Sequence, residues 1–354
     1  MRIAYLTFES PEDSSGVGQK IRSHARFWRS AGHEVHHFVL RRRNDNPQAP
    51  CITYLFNDTS GGKPTLAAWR SNGRIREALS AWTPDLVYMR QLLWWPGAVR
   101  ACHVAPLVIE FNSIALHEYR QQSMLKYRLD SFSRSFFPRV ARAIVSVTAE
   151  IDRTVKAGPA LRAVIGNGYD VKAIVPRPPP NNVRPQLLFV GSPNQAWHGV
   201  DKLRALAGLL ADCDFHIVVP GYTESGPPNF ICHGALYGES LTALYYNTDV
   251  AFGTLALHRK QMEQATPLKV REYLAHGIPV IIGYDDPDLH NTDYCLRIPN
   301  TETNVIEAAP RIRRYIADWQ RRAPDRADVV GRLDHEIKEA TRLALFGRVV
   351  RNGR

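Results

Sequence analysis

Three stretches of this sequence combine glycine, basic and carboxylate residues in patterns that suit an anionic, hydroxyl-rich ligand. The first is SSGVGQK, residues 14–20. Gly16 and Gly18 would let the backbone approach a ligand, and the helix that follows would offer N–H groups to an anion. The stretch lacks the third glycine of a dinucleotide fingerprint, and an ordinary strand-to-helix loop would read the same way. The second is FVGSPNQAWHGVDKL, residues 189–203. A strand ends in Gly191, and a loop carrying Trp197 and His198 leads to a helix. His198 could contact phosphate or be a loop histidine without a role. The third is QATPLKVREYLAHGIPVII, residues 264–282. Pro267 suits a first helical turn, Lys269 to Ala275 continue the helix, and Gly277 ends it. Pro267, Leu268 and Lys269 would then lie at a helix N-terminus directed at an anion such as a diphosphate. Glu272, on the same helix, could accept two hydrogen bonds from ribose hydroxyls, or be an ordinary surface glutamate.

These stretches need elements to hold them. Short runs rich in β-branched residues (RIAYLTF, HEVHHFVL, PDLVYM, PLVIEF, AIVSVT) alternate with helical patterns, beginning with Ile21, Ala25, Trp28 and Ala31 before a stop at Gly32. The stretch AIVPRPPPNNVRPQ then holds five prolines without periodicity and reads as a semi-rigid linker. After it the alternation restarts with QLLFVG, DFHIVVPG, TDVAFGTL, IPVIIGY and YCLRIP. Alternating strands and helices predict parallel sheets covered on both faces. The expected fold class is α/β, with two Rossmann-like domains facing across a cleft. The boundaries are residues 1–172, a linker at 173–186, a second domain at 187–335, and a C-terminal helix at 336–354 that could pack back on the first domain.

Composition narrows the function classes. The 354 residues suit two domains, with 44% hydrophobic and 22% charged residues. No stretch approaches the roughly 20 apolar residues of a membrane span, and the opening segment is too short for a signal-peptide core, so the expected location is the cytoplasm. Five scattered cysteines without a CxxC pair argue against a disulfide framework or zinc site. Net charge is +11, which attracts polyanions without choosing among them. No nucleic-acid-binding signature accompanies the charge. Two DxD strings, Asp212-Cys213-Asp214 and Asp286-Pro287-Asp288, invite a metal. The first precedes its strand, the wrong end for a site, and the second reads as a turn. His33, His36 and His37 lack metal-ligand spacing and read as structural.

At these residues the chain resembles glycosyltransferase family 4, of the two-Rossmann-domain (GT-B) type. The resemblance runs from the opening glycine stretch and RSAGHEV, through VSVTAEI and IGNGYDV, to FVGSPNQAWHGVDKL and PLKVREYLAHGIPVI, the most specific element. The family carries two glutamates on this last segment, the first contacting the donor sugar and the second the ribose. Glu272 matches the second. Gln264, with seven residues between it and Glu272, holds the first position, with Glu263 beside it. Either Gln264 serves as a neutral hydrogen-bonding group or Glu263 takes the role. Ser192 and His198 stand where the family carries an Arg and a Lys against the diphosphate. Positive charge must then come from elsewhere, and Arg259, Lys260 and Lys269 are the candidates. At the end of VIEFNS the family carries a histidine facing the reacting sugar; here Asn112 stands there, with Glu110 before it, and either could contact the acceptor.

The resemblance implies a retaining, metal-independent transferase that needs no cofactor beyond a nucleoside-diphosphate-sugar as co-substrate. The acceptor would be a glycan or lipid-linked hydroxyl in surface polysaccharide or lipopolysaccharide synthesis, and no nucleic acid would be bound. The basic and aromatic segment 117–142 could lie against an anionic membrane, or be an ordinary helix pair. A catalytically inactive nucleotide-sugar binder of the same fold is the alternative.

Overall fold

The computed structural model describes residues 1–13, 15–42, 50–56 and 64–352. Ser14, in the first glycine stretch, lies outside the described residues. The chain divides into two compact units: residues 1–166 with 338–354, and residues 167–337.

The first unit is built on seven strands: β1 (Arg2–Thr7), β2 (Glu34–Arg42), β3 (Ile52–Phe56), β4 (Leu86–Arg90), β5 (Leu107–Phe111), β6 (Ala143–Ser146) and β7 (Leu161–Val164). Their order is β3-β2-β1-β4-β5-β6-β7, and every pairing is parallel. Every residue of β5 is buried, and so is every residue of β4 but the last. This is the continuous apolar run of a strand covered on both faces. The helix Gly16–Ser30 begins at Ser15, whose hydroxyl accepts from the Gly18 N–H. Its buried stripe of Ile21, Ala25 and Trp28 packs with Ile3, Tyr5 and Tyr88. The C-terminal helix His335–Arg351 adds Leu345, Phe346 and Val349 to the same cluster.

The second unit repeats the scheme with β8 (Gln186–Val190), β9 (Asp214–Val218), β10 (Phe230–Cys232), β11 (Val250–Phe252), β12 (Val280–Ile282) and β13 (Cys295–Arg297). Their order is β10-β9-β8-β11-β12-β13, again all parallel. Both sheets therefore have the doubly wound Rossmann order, reversing between β1 and β4 in one and between β8 and β11 in the other.

The break between the units falls between Gly166 and Asn167. The proline-rich stretch expected as a linker lies instead inside the second unit and is tied down there. The Arg177 N–H donates to the His276 carbonyl at 2.9 Å. Arg326 donates to the Ile174 carbonyl at 2.7 Å, and Gln320 to the Asn182 carbonyl at 2.7 Å. A stretch whose prolines cannot join a sheet here runs along a surface that supplies side-chain donors to the carbonyls between them.

Phe346 is fully buried, with its ring centre 5.3 Å from those of Trp28 and Tyr88. Phe346→Ala should therefore cost the first unit about 3 kcal/mol or more, read as a lowered urea midpoint with unchanged slope.

Candidate functional site

In open parallel sheets, ligands bind beyond the carboxyl ends of the strands where the order reverses. In the second unit β8 ends at that point, followed by Gly191. A Cβ on Gly191 would lie 2.6 Å from the Phe189 ring and 2.9 Å from His198 Nδ1, so only glycine allows the loop to close over them. His198 is buried in that closure. Two lysines converge on it. Lys269 Nζ lies 4.3 Å from the Phe189 ring centre and 3.4 Å from His198 Nε2. Lys260 is buried, with Nζ 4.8 Å from the Trp197 ring centre. Burial, and then the charges of Lys269 and Lys260, push the His198 imidazole down to about 2, which leaves it neutral. Burial brings Lys269 down to about 7. The positive charge missing from positions 192 and 198 is thus supplied by two lysines remote from them in sequence.

Arg259, expected beside Lys260 as a phosphate grip, is committed elsewhere. Its guanidinium pairs with Asp201 through two bonds of 2.9 and 2.7 Å, bonds Glu302, and donates to the Ala196 carbonyl at 3.0 Å. Its hydrogen bonds to Asp201 and Glu302 raise its pKa further. It braces the glycine loop against the start of the next helix (Val200–Leu209).

The helix Leu268–Ala275 starts one residue later than expected: Pro267 is its extended N-cap, outside the first turn. Thr266 is pinned from Asn167, whose Nδ2 donates to the Thr266 carbonyl at 2.6 Å. Arg271 is fully buried, gripping both oxygens of Asp286, Asp288 at 2.8 Å and the Asn167 carbonyl at 3.2 Å. The second DxD string is therefore a turn capped by Asp286 and an ion pair. In the first, Asp212 pairs with Arg313 and Asp214 with Arg184, both at 2.6 Å. Glu272 is half-buried. Burial raises its pKa, and the Tyr169 and Tyr245 hydroxyls act in the opposite sense. Gln264 donates from Nε2 to Asp285 Oδ2 at 3.0 Å, and Asp285 also pairs with His290 (2.7 Å) and Arg297 (2.6 Å). Glu263 is exposed and accepts from Asn300 at 3.0 Å.

In the first unit, Gly16 and Gly18 belong to the helix itself rather than to a loop before it. A Cβ on Gly18 would lie 2.4 Å from the Asp13 carbonyl oxygen, so this glycine serves a close turn. Glu110, expected at an acceptor, is fully buried and enclosed by Lys20 at 2.9 Å and Arg342 at 3.3 Å. Burial would raise its pKa, but Lys20, Arg342 and Arg90 outweigh that and hold it at about 2. Its role is to balance charge inside the unit. Asn112 is half-buried beside it, bonded to both Lys20 and Glu110.

Lys20, Asn167, Tyr169 and Asp285 were not legible as site residues. The partners of Lys20 and Asn167 lie far along the chain, as do the Glu272 and Tyr245 that Tyr169 meets, so spacing carries no signal for them; Asp285 pairs nearer, with His290 and Arg297.

Two measurements follow from this geometry. Arg271→Met would leave the Asp286 carboxylate buried and unpaired, and should cost about 3–5 kcal/mol in a denaturation series. Lys269 should impose a pH dependence on stability. Its folded pKa lies below the unfolded value of about 10.4, so the unfolded chain binds more protons between the two. The penalty of burying its charge is complete below about pH 7 and relieved as pH rises toward the unfolded value. Lys269→Met should flatten that rise; an unchanged pH–stability curve would contradict the burial of this charge.

The family model for Glycosyltransferase Family 4 matches residues 14–173. No curated protein matches the sequence. Among solved structures, the chain is similar to the sucrose-phosphate synthase of Thermosynechococcus elongatus, at 16% identity, 99% coverage of both chains and a TM-score of 0.78. It is similar to Anabaena Alr3699/HepE in complex with UDP-glucose, at 14% identity, covering 97% of this chain and 99% of that one, with a TM-score of 0.66. It is also similar to the lipopolysaccharide outer core galactosyltransferase WaaB, at 14% identity, covering 98% and 100%, with a TM-score of 0.65. Residues 14–173 are thus similar in sequence to Glycosyltransferase Family 4, and the whole chain shares the two-Rossmann-domain GT-B fold of these solved structures.

Proposed function

We propose that this protein is an active, retaining glycosyltransferase that moves a sugar from a nucleoside-diphosphate-sugar to a hydroxyl acceptor, in surface polysaccharide or lipopolysaccharide synthesis. The observation that carries the reading is the pair of lysines, Lys260 and Lys269, gathered with His198 at the carboxyl end of β8. Burying the Lys269 ammonium beside a neutral histidine is costly unless an anion joins it. A diphosphate is the anion that fits a helix N-terminus at the switch point of such a sheet. The UDP-glucose held by Anabaena Alr3699/HepE supports the same ligand class.

In this reading Glu272 binds the ribose, Gln264 the donor sugar, and Lys260 and Lys269 the diphosphate. The leaving group is already good, so charge stabilisation and positioning suffice. The bond from the anomeric carbon to the diphosphate oxygen breaks. The acceptor oxygen bonds on the same face, and its proton passes to the departing phosphate. The lysines stand where a metal would otherwise neutralise charge, so we propose metal independence and work in the cytoplasm. The acceptor reading also extends to a membrane. Met124, Leu125 and Phe132 are each more than half exposed on the helix Met124–Ser133. Residues 120–142 carry six basic side chains against one acid, the buried Asp130. This composition suits an anionic bilayer surface holding a lipid-linked acceptor.

A thermal-shift panel of UDP, GDP, ADP, CMP, NAD and their sugar conjugates, run with EDTA and then with Mg²⁺, tests the reading. One nucleoside diphosphate should stabilise the protein without metal, and Glu272→Ala and Lys269→Met should each weaken that shift. A shift only with NAD, or none, would sink the function. A nucleotide shift without turnover of any donor would favour the inactive binder. Co-sedimentation with phosphatidylglycerol vesicles, absent with phosphatidylcholine and lost in Leu125→Ser with Phe132→Ser, checks the membrane surface; equal binding to both lipids would remove it.

A further inference from the structure

The helix Met124–Ser133 turns one carboxylate inward. Asp130 is buried at 4% exposure, and among the described residues none donates a hydrogen bond to its carboxylate. Arg134, four residues on, would be its natural partner. Its guanidinium turns elsewhere instead, and Nη2 donates to the Thr154 carbonyl at 3.4 Å. The two opposite charges line the same two adjoining crevices without pairing across them, together with Gln91 from the segment after β4. The exposed Lys156 lines one of the two. Burial raises the Asp130 pKa, and the charge of Arg134 opposes this. The crevices are small, about 10 and 20 Å³, which is room for a group the size of a water molecule. The larger opens beside an apolar surface. Trp94 lines it, and the Trp94 ring centre stands 5.2 Å from that of Phe136 and 6.4 Å from that of Phe132. Phe132, Leu125 and Met124 on the same helix are 68, 66 and 57% exposed.

We infer that these crevices take the phosphoethanolamine headgroup of a membrane lipid, with its ammonium on Asp130 and its phosphate on Arg134 and Lys156. The inference rests on the membrane part of the proposed function and is independent of sugar transfer. A buried carboxylate is costly without a donor, and when ionised it only accepts, so its partner must bring N–H or O–H groups. A primary ammonium brings three and has the size of the space. A trimethylammonium brings none and is too large for it. The cations on the other side need an anion, and a phosphate suits a guanidinium with unused donors. One ligand that meets both sides is zwitterionic, with its charges a short linker apart. The exposed Phe132, Leu125 and Met124 beside the opening fit the acyl region of a bilayer, which makes a lipid rather than a free headgroup the source.

Co-sedimentation of the full-length protein with vesicles of fixed phosphatidylglycerol content, the remainder being phosphatidylethanolamine or phosphatidylcholine, tests the site. The wild type should bind the ethanolamine vesicles about tenfold more tightly, the worth of one charge-assisted hydrogen bond. Asp130→Asn removes a buried charge, so it should fold at least as stably; it should lose the ethanolamine preference and keep the binding that depends on phosphatidylglycerol. Equal binding of the wild type to the two mixtures, or a preference that survives in Asp130→Asn, would overturn the inference. Soluble glycerophosphoethanolamine separates the two sources of the headgroup. It should raise the wild-type Tm, where glycerophosphocholine does not, and leave Asp130→Asn unmoved. That shift without any vesicle preference would remove the lipid and leave a free headgroup as ligand. Vesicles that fail to bind at any composition would sink the membrane reading itself, while the soluble headgroups still decide whether Asp130 receives an ammonium.

Discussion

The site in the second unit depends on one buried guanidinium. Arg271 sits in the middle of the helix Leu268–Ala275 and joins it to the turn after β12 through Asp286 and Asp288, and to the chain at Asn167. From that chain Asn167 pins Thr266, just before the helix, and Tyr169 reaches Glu272. A buried ion pair is costly to assemble and costlier to leave half-made. What it contributes here is geometry. One side chain sets where the helix starts, hence where Lys269 and Glu272 stand.

Around that anchor the charges fall into two kinds. Arg259, Arg271 and Arg342 are saturated by carboxylates, which hold them charged and leave them bracing the fold. Lys269 is not so matched: burial dominates its environment and its proton is loosely held. His198 is driven neutral by the same lysines that surround it. The first kind holds elements together. The second keeps positive charge at the end of β8, and it is on this that the proposed phosphate role rests.

The fold was legible where strands are central. β4 and β5 are buried through nearly their whole length, and β8 at its centre, and all three announce themselves as apolar runs. The strands left unread, β3, β7 and β10, all lie at sheet edges. An edge strand packs on fewer neighbours, so its side chains can alternate with solvent, as β7 does, or face it, as most of β10 does. The proline-rich stretch misled for a related reason. Proline density marks backbone that cannot pair in a sheet, but not whether that backbone is free or tied to a surface.

The sequence alone determined the alternation of elements, the helix ending at Ala275 with its glutamate, though not its first residue, and the substitution of Ser192 and His198 for the basic pair that the resemblance would place there. These depend on local pattern, and short-range chemistry writes them directly into the chain. It did not determine which cations would replace that pair, nor which acids would be spent inside. Arg259 and Lys260 are neighbours in sequence, yet one is consumed by Asp201 and Glu302 and the other is buried against Trp197. Glu110 and Asn112 lie two residues apart, yet one balances charge in the interior and the other stands half-exposed beside it. Folding decided these assignments, because whether a charge is free depends on the partners that distant segments bring within a few ångströms of it.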